Sequence, residues 1–146
     1  MPRSTRTRRR VPDRTHGLLD TSAVIGLPRL DPGSLPERMS VSAITLAELA
    51  AGPHATDDRA ERALRQDRLQ RAEAAFDPLP FDAAAARAYG RLYASVLSAR
   101  RKARGRRALD LLIAAVAVAN QLPLFACNSD DFAQLEGLDV VAVAER

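Results

Sequence analysis

Thirteen consecutive residues, 108–120, hold a single charged side chain, Asp110, among alanines, leucines, valines and one isoleucine, and close on Asn120. A stretch apolar on nearly every side predicts a helix buried over most of its surface, ending before Pro123. The rest of the chain must enclose that helix, and its pattern says how. Short apolar runs recur at 17–19, at Met39 and Val41, at Leu79 and Phe81, at 124–126 and at Val140, Val141 and Val143. Each has the length of a strand. Between them lie helical signals: a brief helix at 21–27, one at 43–51 with Ser42 placed to cap it and Gly52-Pro53 to stop it, a charged amphipathic helix at 57–76, and a long one that Asp82 can cap, running through Tyr89, Leu92, Val96 and Leu97. Strands alternating with helices predict an α/β fold whose parallel sheet is covered on both faces.

A chain of 146 residues fits one core. Its hydrophobic share is 47% but only 4% is aromatic, which argues against binding single-stranded RNA by base stacking on an aromatic platform. The single cysteine, Cys127, cannot form an internal disulfide and is expected to be a buried strand thiol. No apolar run is long enough to span a membrane. The net charge of +4 is unevenly spread: residues 1–14 hold six arginines against one aspartate, and the remainder is close to neutral. The expected organisation is therefore a basic, disordered extension at 1–14 and a folded domain at 15–146. Without the apolar stretch of a secretory signal, the expected location is the cytoplasm. A second basic run, Arg100, Arg101, Lys102, Arg104, Arg106 and Arg107, falls inside the domain.

In an open parallel sheet, functional groups gather beyond the carboxyl ends of the strands. Asp20 and the segment 128–131 fall there, and Glu48 and Asp110 lie on helices that follow from the same edge. Asp20, Glu48 and Asp131 each have an ordinary structural use as a helix cap or a solvent-facing residue. Asp110 is harder to place, because a carboxylate among Leu109, Leu111, Leu112 and Ile113 is costly to desolvate without a compensating charge. That charge could be Arg104, Arg106 or Arg107, or a divalent cation shared with Asp20. Clustered carboxylates suit a hard cation such as Mg²⁺ or Mn²⁺. His16 and His54 lack the partner spacing of a zinc site, and no phosphate-loop, dinucleotide or nucleophile-elbow pattern is present.

The segments Leu18-Leu19-Asp20-Thr21-Ser22-Ala23-Val24, Ser42-Ala43-Ile44-Thr45-Leu46-Ala47-Glu48-Leu49, Ala108-Leu109-Asp110-Leu111-Leu112-Ile113-Ala114-Ala115 and Asn128-Ser129-Asp130-Asp131-Phe132 resemble, in order and spacing, the four signature segments of PIN-domain ribonucleases, the VapC toxins of VapBC toxin–antitoxin pairs. The resemblance covers about residues 16–143. It implies a PIN-like α/β/α sandwich with a central parallel sheet of four to five strands. It also implies Mg²⁺ or Mn²⁺ as cofactor, endonucleolytic RNA cleavage, and a VapB-type antitoxin that blocks the site. Asp20, Glu48 and Asp110 match the family's first three acids and Asp131 its fourth, while Thr21 or Ser22 would shape the first loop. Two positions depart from the pattern: Ala126 stands where the family often has threonine, and Asn128 where some relatives have aspartate.

The expected mechanism has Asp20 and Asp110 holding the ion, Glu48 and Asp131 completing its surroundings through water or Asn128, and water attacking the phosphodiester. The basic run Arg100, Arg101, Lys102, Arg104, Arg106 and Arg107 would neutralise substrate phosphates. A homodimer is expected from apolar positions left exposed on the helix through Tyr89 and Leu97, with DNA met only indirectly through the antitoxin, and no membrane partner. The rival reading is a catalytically silent module that binds nucleic acid or a protein. A phosphoryl-transfer domain with a strand-end aspartate nucleophile is disfavoured, because Ser22 stands where that pattern wants a second aspartate.

Overall fold

The computed structural model describes residues 13–98, 106–133 and 135–146. Strand β1 (His16–Leu19) runs into helix α1 (Thr21–Gly26), and β2 (Arg38–Ser40) leads into α2 (Ala43–Ala51). Two longer helices follow, α3 (Arg59–Ala75) and α4 (Ala83–Ser98). Then come α5 (Arg106–Ala119), β3 (Leu124–Ala126), a 3-10 turn at Ser129–Phe132 and β4 (Val140–Ala142). The four strands form one parallel sheet in the order β2-β1-β3-β4.

Alternation along each strand builds two cores. Leu18, Leu124 and Ala126 face α4 and α5, where Ala85, Ala88, Leu92, Val96, Leu111 and Ala114 to Ala117 enclose them. Leu19, Phe125 and Val141 face the opposite way, onto Ala23 and Val24 of α1, Leu49 of α2 and Ala72 of α3. The period of two along a strand thus separates neighbours in sequence into different layers, and the result is the expected α/β/α sandwich. The helix ends are capped largely as their sequences predict. Ser42 Oγ accepts from the Thr45 amide at 3.1 Å, Asp58 Oδ1 from Glu61 at 3.0 Å, and Asp82 Oδ1 from Ala85 at 2.9 Å.

Leu79 and Phe81 do not form the expected strand. Leu79 makes one isolated parallel bridge to Ser42, in a segment that carries Pro78 and Pro80 and so lacks the amide donors a longer ladder needs. Cys127 is also misplaced by the sequence reading: it lies just past the end of β3 and is exposed. No helix among the described residues is long and apolar enough to cross a membrane.

Candidate active site

The strand order reverses between β1 and β3, since the chain leaves β1 for β2 on one side and later returns to place β3 on the other. Such a switch point opens a crevice beyond the carboxyl ends of the two strands. The Asp20 amide donates to the Phe125 carbonyl at 3.0 Å and pins the end of β1 to β3 there. Asp20 is buried at 6% exposure. Its carboxylate caps α1 by accepting from the Ala23 amide at 2.8 Å, and it accepts from Ser22 Oγ at 2.9 and 2.8 Å. The capping use of Asp20 is therefore realised, and it fixes the carboxylate in the crevice.

Glu48 reaches the same place from α2. Thr21 Oγ1 donates to Glu48 Oε1 at 2.9 Å and lies 3.0 Å from Thr45 Oγ1. Thr45 is wholly buried, 3.4 Å from the equally buried Ser42 hydroxyl. Ser42, Thr45 and Glu48 stand three residues apart and so form a polar stripe along one face of α2. Thr45 was not singled out from the sequence. The stripe was its signal, because three polar side chains at helical spacing in an otherwise apolar helix need partners once buried.

Asp110 stands in the first turns of α5, half-buried, between exposed Leu109 and buried Leu111. One turn earlier on the same helix face, Arg107 Nη1 donates to the Asp131 carbonyl oxygen at 2.7 Å. That bond ties the start of α5, three residues before Asp110, to the turn after β3. Arg107 Nε is buried with no hydrogen-bond partner among the described residues. Asp131 is exposed within the turn. Asn128 precedes that turn, and its carbonyl accepts from the Asp131 amide at 3.0 Å. Arg100, Arg101, Lys102 and Arg104 lie outside the described residues, and Arg106 opens α5.

His16, the first residue of β1, bonds Ser40, the last of β2, at 2.7 Å, and His54 is exposed in the turn after α2. Cys127 sits beside Ser22 and Asp20. Partial burial raises its thiol above the ordinary range, a Ser22 hydrogen bond opposes the shift, and the Asp20 and Glu145 charges add to it. Apart from the Cys127 thiol, the donors at the crevice are carboxylates, hydroxyls and amides, which suit a hard cation. Among the described residues, no three carboxylate, imidazole or thiol groups already stand in a closed ligating cluster.

The chain matches the PIN-domain family over residues 18–138, a span that carries Asp20 at the end of β1, Glu48 on α2, Asp110 on α5 and Asp131 in the turn after β3. The protein belongs to the PIN-domain family. It is 37% identical over 133 residues to Ribonuclease VapC5 of Mycobacterium tuberculosis, an alignment spanning 87% of this chain and 93% of that one. The crystal structure of the VapBC-5 toxin–antitoxin system from the same organism superimposes with a TM-score of 0.77 at 36% identity, covering 88% of this chain and 98% of the other. FitAcB from Neisseria gonorrhoeae gives a TM-score of 0.66 at 28% identity, covering 85% and 95%.

Proposed function

We propose that the protein is a divalent-metal-dependent endoribonuclease, the toxin of a toxin–antitoxin pair, which hydrolyses RNA at the crevice between β1 and β3 and is held inactive by a cognate antitoxin. The observation that carries this reading is the Asp20–Thr21–Glu48 arrangement at the switch point of a PIN domain whose relative of 37% identity is named a ribonuclease. Asp20 and Asp110 would hold the ion, Mg²⁺ or Mn²⁺, with Glu48, Asp131 and Asn128 completing its surroundings directly or through water. When bound, such an ion supplies a water of lowered pKa and positive charge beside the phosphate as negative charge develops on it.

The chain's own residues prepare that chemistry. Ser22 and the Ala23 amide hold the Asp20 carboxylate in one orientation. Thr21 donates to Glu48 Oε1 and so fixes the orientation of that carboxylate. Fixing these groups in advance lowers the reorganisation needed when substrate arrives. The 100–107 run would offset the repulsion between RNA and the acids.

The test is cleavage of a labelled RNA by purified protein with Mg²⁺, with Mn²⁺ and with chelator, alongside Asp110→Asn. Cleavage is expected with either ion, none with chelator, and a fall of at least 10²-fold in the variant, in line with losing the interaction that positions the reacting groups. A folded Asp110→Asn protein that cuts at the wild-type rate would overturn the assigned site. Metal-independent cleavage would overturn the mechanism.

A further inference from the structure

Helix α3 carries arginines at every third position, Arg59, Arg62, Arg65, Arg68 and Arg71. Most of them are engaged or face away from the crevice. Arg62 donates to the carbonyls of Pro53 at 3.2 Å and Thr56 at 2.9 Å. Arg65 donates to Gly52 at 2.9 Å and pairs with Glu61 at 3.0 Å. These bonds lash α3 to the turn after α2. Arg71 pairs with Asp67 on the exposed side at 3.0 Å, and Arg59 lines a separate cleft with His54. Arg68 differs from all of these. It is half-buried, one turn before Ala72 on the face that packs into the second core. Among the described residues it has neither an ion pair nor a side-chain hydrogen bond.

Arg68 opens onto a cleft of about 340 Å³ whose other walls include Thr21, Ile25, Glu48, Leu49 and Arg65. The two residues that orient the acid side of the candidate site therefore share a cavity with an uncommitted guanidinium. In that cavity Glu61 is already neutralised by Arg65. Arg68 and Glu48 line this cleft without forming an ion pair, so the guanidinium is available to a third group. A guanidinium offers a planar fork of donors suited to phosphate, and its partial burial raises the strength of such a contact.

We propose that Arg68 binds the RNA backbone phosphate that neighbours the cleaved one, on the α3 side of the crevice. Arg65 and Arg62 act as positioning residues that hold α3 in place, and of the α3 arginines Arg68 alone contacts RNA. This inference rests on the ribonuclease reading, and it adds a subsite which that reading does not require.

The experiment compares Arg68→Gln, Arg68→Lys and Arg71→Gln with wild type in RNA cleavage across a salt series. It also measures RNA binding by the same proteins with divalent ions chelated. Arg68→Gln is expected to lower kcat/KM about tenfold and to make the fall of log affinity with log salt shallower by about 0.7, the increment for one single-strand phosphate contact. Arg68→Lys should recover most of the loss, and Arg71→Gln should match wild type. With RNA whose linkages beside the cut are made neutral one at a time, a single position should impair wild type but not further impair Arg68→Gln.

A wild-type salt slope in Arg68→Gln overturns the inference while leaving the nuclease reading intact. So does a loss confined to thermal stability, or a loss of binding to antitoxin or an acidic peptide with RNA binding unchanged. If the wild type fails to cut RNA with any divalent ion, the nuclease reading falls, and the binding slope still decides the role of Arg68.

Discussion

Asp20 acts through both oxygens of one side chain, capping α1 and presenting charge to the crevice, and substitutions can separate the two uses. Asparagine keeps a carbonyl oxygen for the Ala23 amide but loses the charge, so Asp20→Asn should keep the helix cap and lose at least 10²-fold in cleavage rate. Asp20→Ala should lose both, with a cap penalty of about 1 kcal/mol visible in denaturant unfolding. Equal unfolding midpoints for the two variants would show that the cap contributes nothing.

Thr21 makes a second, sharper case. Its hydroxyl is shared between Glu48 and the wholly buried Thr45 hydroxyl. Thr21→Val removes that bridge at nearly constant volume and should cost about 1–2 kcal/mol, with roughly tenfold slower cleavage as Glu48 loses its orientation. Thr21→Ser should restore most of both. At Cys127 the raised thiol pKa keeps the group protonated at neutral pH. Alkylation should therefore be slow at pH 7 despite exposure, and it should quicken in Asp20→Asn, where a charge that disfavours the thiolate is removed.

At the scale of elements, β1 is the one that tolerates least. Gly17 lies under the Phe125 ring, close enough that any added Cβ would collide with the ring edge and also approach Pro36 at 3.2 Å. Phe125 is fully buried in the strand beside it and has nowhere to retreat. Gly17→Ala should cost about 1–3 kcal/mol by overpacking, read as a lowered denaturant midpoint with an unchanged m-value.

The elements most legible in the sequence were those whose burial is written into their periodicity. α5 announced itself by an apolar run with one acid, and α2 by its Ser42 cap and Gly52-Pro53 stop. The sequence reading at 79–81 failed because two apolar residues between prolines satisfy the pattern of a strand without supplying its ladder. Cys127 failed because a strand end is set by where pairing stops, which composition does not encode. Asp20, Glu48 and Asp110 stand out in the sequence because each charge interrupts an apolar context, whereas Asp131 lies in a polar run and stands out only through the family resemblance. The Thr21–Thr45 link and Arg68 do not, since a hydroxyl or an arginine on a mixed helix gives no such contrast until the helices are docked.

For the molecule as a whole, the consequence of the fold is that the proposed ligands come from positions far apart in the chain: Asp20 after β1, Glu48 on α2, Asp110 on α5 and Asp131 after β3. No short segment contains the set, so the unfolded chain cannot offer it, and an ion bound there binds the native state alone. Stability should then rise with divalent concentration, by about 2.7 kcal/mol at a hundredfold excess over the dissociation constant. For a domain of this size such a gain raises the melting temperature by several degrees, on the order of 5–15 °C. Thermal unfolding in chelator and in millimolar Mg²⁺ or Mn²⁺ measures it directly, and the increment should be absent in Asp20→Asn and in Asp110→Asn. Monovalent salt at matched ionic strength separates specific binding from screening, since screening alone would act on all three proteins equally. An identical melting curve with and without divalent ions would mean that the acids do not share an ion in the free protein, and the site would have to assemble only on RNA.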